Sequence, residues 1–162
     1  MTSTTTRRRT VDHRPRPTRP PPARALKAVL DLGAVPTAPS CARAWTRQIL
    51  WEWRLAGLSD TTEVIVSELT TNAVLASRRE GRPCIRLILT LDGGELGILV
   101  RDYCSGSPQP RDAGADDEDG RGLLLVQAMS SRSGWYPAGD GTPGKVVWAV
   151  ARLEGTESDH QA

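Results

Sequence analysis

Four short stretches of the chain carry side chains able to do chemistry together. Glu68 and Asn72 lie four residues apart in SDTTEVIVSELTTNAVLAS, residues 59–77, a spacing that stacks them one helical turn apart. An amide oxygen is the kind of single protein ligand that Mg²⁺ accepts while phosphates and waters fill its other positions. A carboxylate one turn away is placed to take a proton from an attacking hydroxyl or water. Asp102 ends a run of alternating apolar residues; ionised, it only accepts hydrogen bonds, which suits the exocyclic amine of adenine. Gly120-Arg121-Gly122 opens a further apolar run with Leu123. Glycines at a helix start let backbone N–H groups approach phosphate oxygens, and the helix dipole favours the negative charge there. Each feature has a plainer explanation when taken alone: a shoulder Glu and Asn bonded to nearby backbone, a turn Asp, a helix cap. Their occurrence together in this order is what points to a nucleotide.

The elements that must position these groups follow from hydrophobic periodicity. Leu26, Ala28, Leu30 and Leu32 alternate as a half-buried strand. Residues 33–39 read as a loop, Ser40 as the cap of a helix, and Ala42, Trp45, Ile49, Trp53 and Ala56 as its core-facing stripe until Gly57 ends it. In the next helix Asp60 is the expected cap, with Glu63 completing a capping box. Ile65, Val66, Leu69, Ala73 and Ala76 form its apolar stripe, Ser67, Thr70, Thr71 and Arg78 face away, and Gly81 and Pro83 stop it beyond Arg79. Ile85 to Leu91 and Leu96 to Val100 alternate on either side of Asp92-Gly93-Gly94, a hairpin whose second strand delivers Asp102. Residues 103–120 are loop by composition. After them come a helix with Leu123, Val126 and Met129, a strand at Trp135 and Tyr136, a turn from Ala138 to Gly144, and a last strand with Val146, Trp148 and Val150. The order strand, helix, helix, strand, strand, helix, strand, strand implies an α+β two-layer sandwich, a mostly antiparallel sheet covered on one face by helices.

Composition sets the frame. The 162 residues suffice for one domain, with 38% hydrophobic and 25% charged residues, as in a soluble globular protein. Residues 1–23 are Thr, Arg and Pro with almost nothing to bury, so a disordered tail is expected there, a folded domain over 24–153, and a polar flexible tail over 154–162. The first 24 residues hold seven Arg against one Asp, so the net charge of +2 hides a mildly acidic remainder. No aromatic residue is interleaved with those arginines for base stacking, which disfavours nucleic acid as a partner. Cys41, Cys84 and Cys104 fit no zinc or disulfide spacing, and no apolar run approaches a membrane span, so a reducing, cytoplasmic setting without a membrane is expected.

The chemistry-bearing stretches resemble a known family. Glu68-Leu69-Thr70-Thr71-Asn72-Ala73, Val100-Arg101-Asp102 with Gly106, Gly120-Arg121-Gly122-Leu123-Leu124 and Gly144-Lys145-Val146-Val147-Trp148-Ala149 look like the nucleotide-binding motifs of the Bergerat-fold (GHKL-type) ATPases. Within that superfamily they are most similar to the small anti-sigma-factor serine/threonine kinases of actinobacteria and spore-forming bacteria. The resemblance covers residues 24–153 and implies a histidine-kinase-like ATPase fold binding ATP and Mg²⁺. It implies Asn72 as the metal ligand and Glu68 as general base. It places Asp102 on adenine, with Gly106, Gly120, Arg121, Gly122 and Leu123 among the nucleotide-binding residues. It also implies two partners, a sigma factor held inactive and an anti-sigma antagonist phosphorylated on serine; relatives of this kind commonly form homodimers. Three positions depart from the family pattern: Cys104 for the first glycine of the adenine motif, Val146 for a threonine near adenine, and Ala76 for a polar or basic residue facing phosphate. Arg79, on the same helical face, is a substitute for the last. The alternative reading is a nucleotide-gated protein-binding module of the same fold without phosphotransfer. The four carboxylates of residues 116–119, too repulsive to rest against a triphosphate without a cation between, are expected to face solvent or a basic partner.

Overall fold

Period-two alternation decides which side chains of a strand enter the core, and the pairing register decides whether they meet. The computed structural model describes Thr18, residues 26–108 and residues 122–152. Gly120, Arg121, the acidic run and both tails lie outside the described residues. Five strands, β1 (Leu26–Gly33), β2 (Cys84–Asp92), β3 (Glu95–Asp102), β4 (Arg132–Pro137) and β5 (Lys145–Arg152), form one sheet in the order β1-β2-β3-β5-β4. All four pairings are antiparallel. Three helices, α1 (Ala38–Glu52), α2 (Ser59–Arg79) and α3 (Gly122–Met129), cover one face. The expected element order and the two-layer α+β architecture are thus those of the folded chain.

The core is built in rows. Leu30, Leu87, Val100 and Val147 stand opposite one another across four strands, and Ala28, Leu89, Ile98 and Ala149 form the next row. Against them pack Ile65, Val66, Leu69, Ala73 and Val74 of α2 and Ala38, Ala42 and Leu50 of α1. The hairpin between β2 and β3 turns on Gly93 and Gly94, both at positive φ (55° and 79°), the geometry whose twist suits two antiparallel strands.

Several local expectations are corrected. Helix α1 starts at Ala38 behind Thr37, with Pro39 in its first turn, where a missing N–H costs nothing. Ser40 lies inside it and donates its hydroxyl to the Thr37 carbonyl at 2.8 Å. The helix ends at Glu52, ahead of Gly57, because Arg54 takes a left-handed φ of 60°. Ala56 falls in a short 3-10 helix, Ala56–Leu58, and is exposed. Helix α2 carries no side-chain cap. Glu63 reaches sideways across the helix pair and accepts two hydrogen bonds from Arg47 of α1, at 2.9 and 2.7 Å. Thr70 is fully buried and satisfies its hydroxyl on the Val66 carbonyl at 2.6 Å, which is how a threonine is accommodated within an apolar helix face.

The strand β5 has its faces the other way round from the sequence reading. Val147, Ala149 and Ala151 meet the helices, while Val146, Trp148 and Val150 point to the opposite face. That outer face carries its own apolar row, Val29, Ile88, Leu99 and Trp148, ending on Gly134 of β4. Thr18 sits over its end: its N–H donates to the Trp135 carbonyl at 2.6 Å and its carbonyl accepts the Trp148 indole N–H at 2.5 Å. A Cβ on Gly134 would collide with the Thr18 hydroxyl, so glycine is what opens the seat.

Ile98 is fully buried at the centre of the helix-facing rows. Ile98→Ala is expected to cost about 2–5 kcal/mol through lost burial and an unfilled cavity, read as a lower urea midpoint with an unchanged slope.

Candidate functional site

Helix α2 crosses the sheet so that its carboxyl-terminal half overhangs the ends of β3 and β5, and a cavity of about 250 Å³ opens there. Leu69 and Val147 form its apolar floor and Asn72, Ala76 and Arg79 one wall. Asp102, Cys104 and Lys145 supply the polar end. The volume is below the ~300–1,000 Å³ of sites that enclose a whole drug-sized ligand.

The polar end is organised by one ion pair. Asp102 and Lys145 are directly opposed at the end of the β3–β5 pairing, and Lys145 Nζ lies 2.8 Å from Asp102 Oδ2 with the two side chains 7% and 3% exposed. The other carboxylate oxygen accepts the Cys104 N–H at 3.0 Å. Removing one member of such a buried pair leaves the other charge uncompensated, at a cost of about 3–5 kcal/mol. The turn between β4 and β5 makes the approach possible: Gly144 has a φ of 146°, and a Cβ there would press on the Asp102 carbonyl. The loop after β3 is tied back to α2 by the Ser105 N–H, which donates to both carboxylate oxygens of Glu80 at 3.2 and 3.1 Å.

The residues singled out from sequence fall into three groups. Asn72, Asp102 and Leu123 come together on the cavity, and Arg79 and Ala76 line it beside Asn72, as the helical spacing requires. Glu68 does not line it. Its carboxylate lies against Gly122, the first residue of α3, closely enough that a Cβ on Gly122 would strike Oε2. The acid therefore stands one turn from Asn72 at the amino-terminal end of α3, where a helix favours negative charge. Gly106 adopts a φ of 87° but does not line the cavity. Gly120 and Arg121 lie outside the described residues.

One expectation needs correction. Val146 does not line the cavity, because it faces the outer side of the sheet; Lys145 occupies the cavity side. Cys104 lines the cavity, and its Sγ donates to Ser77 Oγ of α2 at 3.8 Å. Lys145 was missed by sequence reasoning although a signal existed: it shares its strand face with Val147, Ala149 and Ala151, and it follows the glycine that lets β5 close on β3.

The cavity fits the group its residues suggest. A carboxylate beside a lysine can bind a purine edge, and an amide oxygen is a suitable magnesium ligand.

Burial, reinforced by the Asp102 charge, pushes the Cys104 thiol above its ordinary value. The stability gained by keeping it neutral is present below the thiol's unfolded pKa and is lost as pH rises through the higher folded value. Because the thiolate is the reactive form, maleimide at pH 8 is expected to label exposed Cys41 at least about tenfold faster than Cys104, by mass spectrometry of tryptic peptides. Gly144→Ala should lower the melting temperature by several degrees, as strain between β5 and the Asp102 backbone predicts.

No helix among the described residues is long and apolar enough to cross a membrane. No curated protein matches the chain. The sequence profile of the histidine kinase-like ATPase domain matches residues 29–150, a span that contains β2, β3 and β4, most of β1 and β5, and every residue lining the cavity. ATP binding is what that family implies, with Mg²⁺ its typical companion. Profile, sheet order and cavity agree, and the chain belongs to the histidine kinase-like ATPase domain family.

Proposed function

We propose that the protein is an ATP- and Mg²⁺-dependent regulatory protein serine/threonine kinase of the anti-sigma type, which phosphorylates a serine of an anti-sigma antagonist and sequesters a sigma factor. The observation that supports the reading is the meeting of Asn72, Asp102 and Leu123, far apart in the chain, on one cavity. In this scheme Asp102 accepts a hydrogen bond from the adenine amine, and Leu69 and Val147 provide the apolar surface on which the base rests. The first N–H groups of α3, with Arg121 and Gly120 before it, receive phosphate oxygens. Mg²⁺ would screen those oxygens, with Asn72 as its protein ligand. The serine hydroxyl of the antagonist attacks the γ-phosphorus, the bond to the ADP oxygen breaks, and the hydroxyl proton passes to Glu68. Free Cys41, Cys84 and Cys104 suit a reducing cytoplasm. Homodimer formation belongs to the same proposal.

One observation favours a second reading, a nucleotide-gated binding module without phosphotransfer: the Glu68 carboxylate packs on Gly122 and does not face the cavity. The two readings part in one experiment. With ATP, Mg²⁺ and the cognate antagonist, the kinase should place phosphate on an antagonist serine, seen by mass spectrometry as one added phosphoryl group on a single peptide. Glu68→Gln should slow transfer by about 10²–10⁴-fold, the usual share of a general base, while calorimetry shows ATP affinity within a few-fold of wild type. ATP binding with no transfer by the wild-type chain would leave the binding module; transfer surviving the substitution would remove Glu68 from the chemistry.

A further inference from the structure

The cavity holds a charged group that the scheme above does not use. Lys145 is 5% exposed, lines the cavity beside Asp102, and points to the helix-covered side of the sheet. An ammonium has three N–H donors and no acceptor. One goes to Asp102 Oδ2 at 2.8 Å, and among the described residues no other acceptor is bonded to it. Buried donors need acceptors, and Lys145 lines the cavity. Asp102 in turn uses one oxygen on the Cys104 N–H and the other on Lys145, and a carboxylate has about four lone-pair sites, so it can still accept from a ligand. The polar end of the cavity is therefore an acceptor and a donor side by side, held at fixed spacing by their own ion pair.

That couple is complementary to one edge of adenine, where the exocyclic amine donates and the adjacent ring nitrogen N1 accepts. We propose that Lys145 is a specificity-determining residue that donates a hydrogen bond to N1 of the bound adenine, while Asp102 takes the amine. The inference rests on the nucleotide reading given above and adds to it the residue that reads the ring. A neutral hydroxyl in the same place would give a weaker bond, since charge-assisted hydrogen bonds are about twice as strong as neutral ones. The ion pair also positions the donor: Nζ is tethered through Asp102 to β3, so little side-chain freedom is lost when the base arrives.

The test measures affinity, by calorimetry on the full chain, for ATP, 1-deaza-ATP and 7-deaza-ATP. The first analogue replaces N1 by C–H and keeps the amine and phosphates; the second removes N7 and leaves N1 intact. Wild type is expected to bind 1-deaza-ATP at least about tenfold more weakly than ATP and 7-deaza-ATP within about threefold of ATP. Lys145→Met should bind ATP more weakly and treat ATP and 1-deaza-ATP alike, within about threefold, whereas Lys145→Arg, which keeps a donor and the pair with Asp102, should preserve the discrimination. Circular dichroism melts confirm that each variant is folded, and Lys145→Arg carries the test if Lys145→Met is not. A wild-type chain that binds ATP and 1-deaza-ATP equally, or a penalty that persists unchanged in Lys145→Met, overturns the proposal and leaves Lys145 a structural partner of Asp102. Failure of wild type to bind ATP and both analogues instead removes the nucleotide reading, and the role of Lys145 with it.

Discussion

The register between β3 and β5 is the constraint on which the site depends. Side chains alternate across a sheet with a period of two, so a slip of one residue exchanges the faces of an entire strand. With Asp102 opposite Lys145 and Val100 opposite Val147, the core rows continue from β1 to β5 and the ion pair falls under the end of α2. Shifted by one, Lys145 would leave the cavity, Val146 would enter it, and the indole of Trp148 would be driven into the space that Ala149 leaves for the helices. Ala149 and Ala151, small and buried, show how close the helices come to this strand.

Two clasps on opposite faces hold that register at the site end. On the helix side it is the buried pair, Asp102 with Lys145. On the outer side Arg101 reaches the turn before β5, bonding Asp140 at 2.8 Å and the Thr142 hydroxyl at 2.7 Å, with its guanidinium 4.7 Å from the Tyr103 ring centre. The Arg101 and Thr142 bonds hold the Asp140 carboxyl well below the usual carboxylate range. Being exposed, Asp140 adds little to stability, but the arrangement fixes the turn that carries Gly144. The outer clasp is open to salt screening and the inner one is shielded from it, so the geometry of the cavity does not depend on ionic strength as the turn does.

Much of this was legible in the chain because strands and helices each imposed their own period. Alternation from Ile85 to Leu91 and from Leu96 to Val100 located the hairpin, the two glycines after Asp92 located its turn, and the spacing of Ile65, Val66, Leu69 and Ala73 located the helix that overhangs the site. What the sequence did not reveal was decided by tertiary contact. Val147, Ala149 and Ala151 alternate as well as Val146, Trp148 and Val150 do, and nothing local says which set meets the helices. The bulkier set was the natural choice for the core; it lost because the helices need small residues beneath them. Glu63 was read as part of a cap because its spacing from Asp60 allows one, but Arg47 of the neighbouring helix offered a charged partner. Asn72, Asp102 and Leu123, far apart in the chain, meet on one cavity, while Glu68 turns to Gly122, a contact that only the packing of α3 on α2 creates.

The outer face adds a practical corollary. Thr18 stoppers the notch over Gly134 and supplies the acceptor for the Trp148 indole N–H. A chain trimmed to begin at Leu26 would leave that indole to the solvent, and its emission would redden. Trp148 is thus a built-in optical reporter of whether Thr18 fills that seat, on the side of the sheet turned away from the cavity.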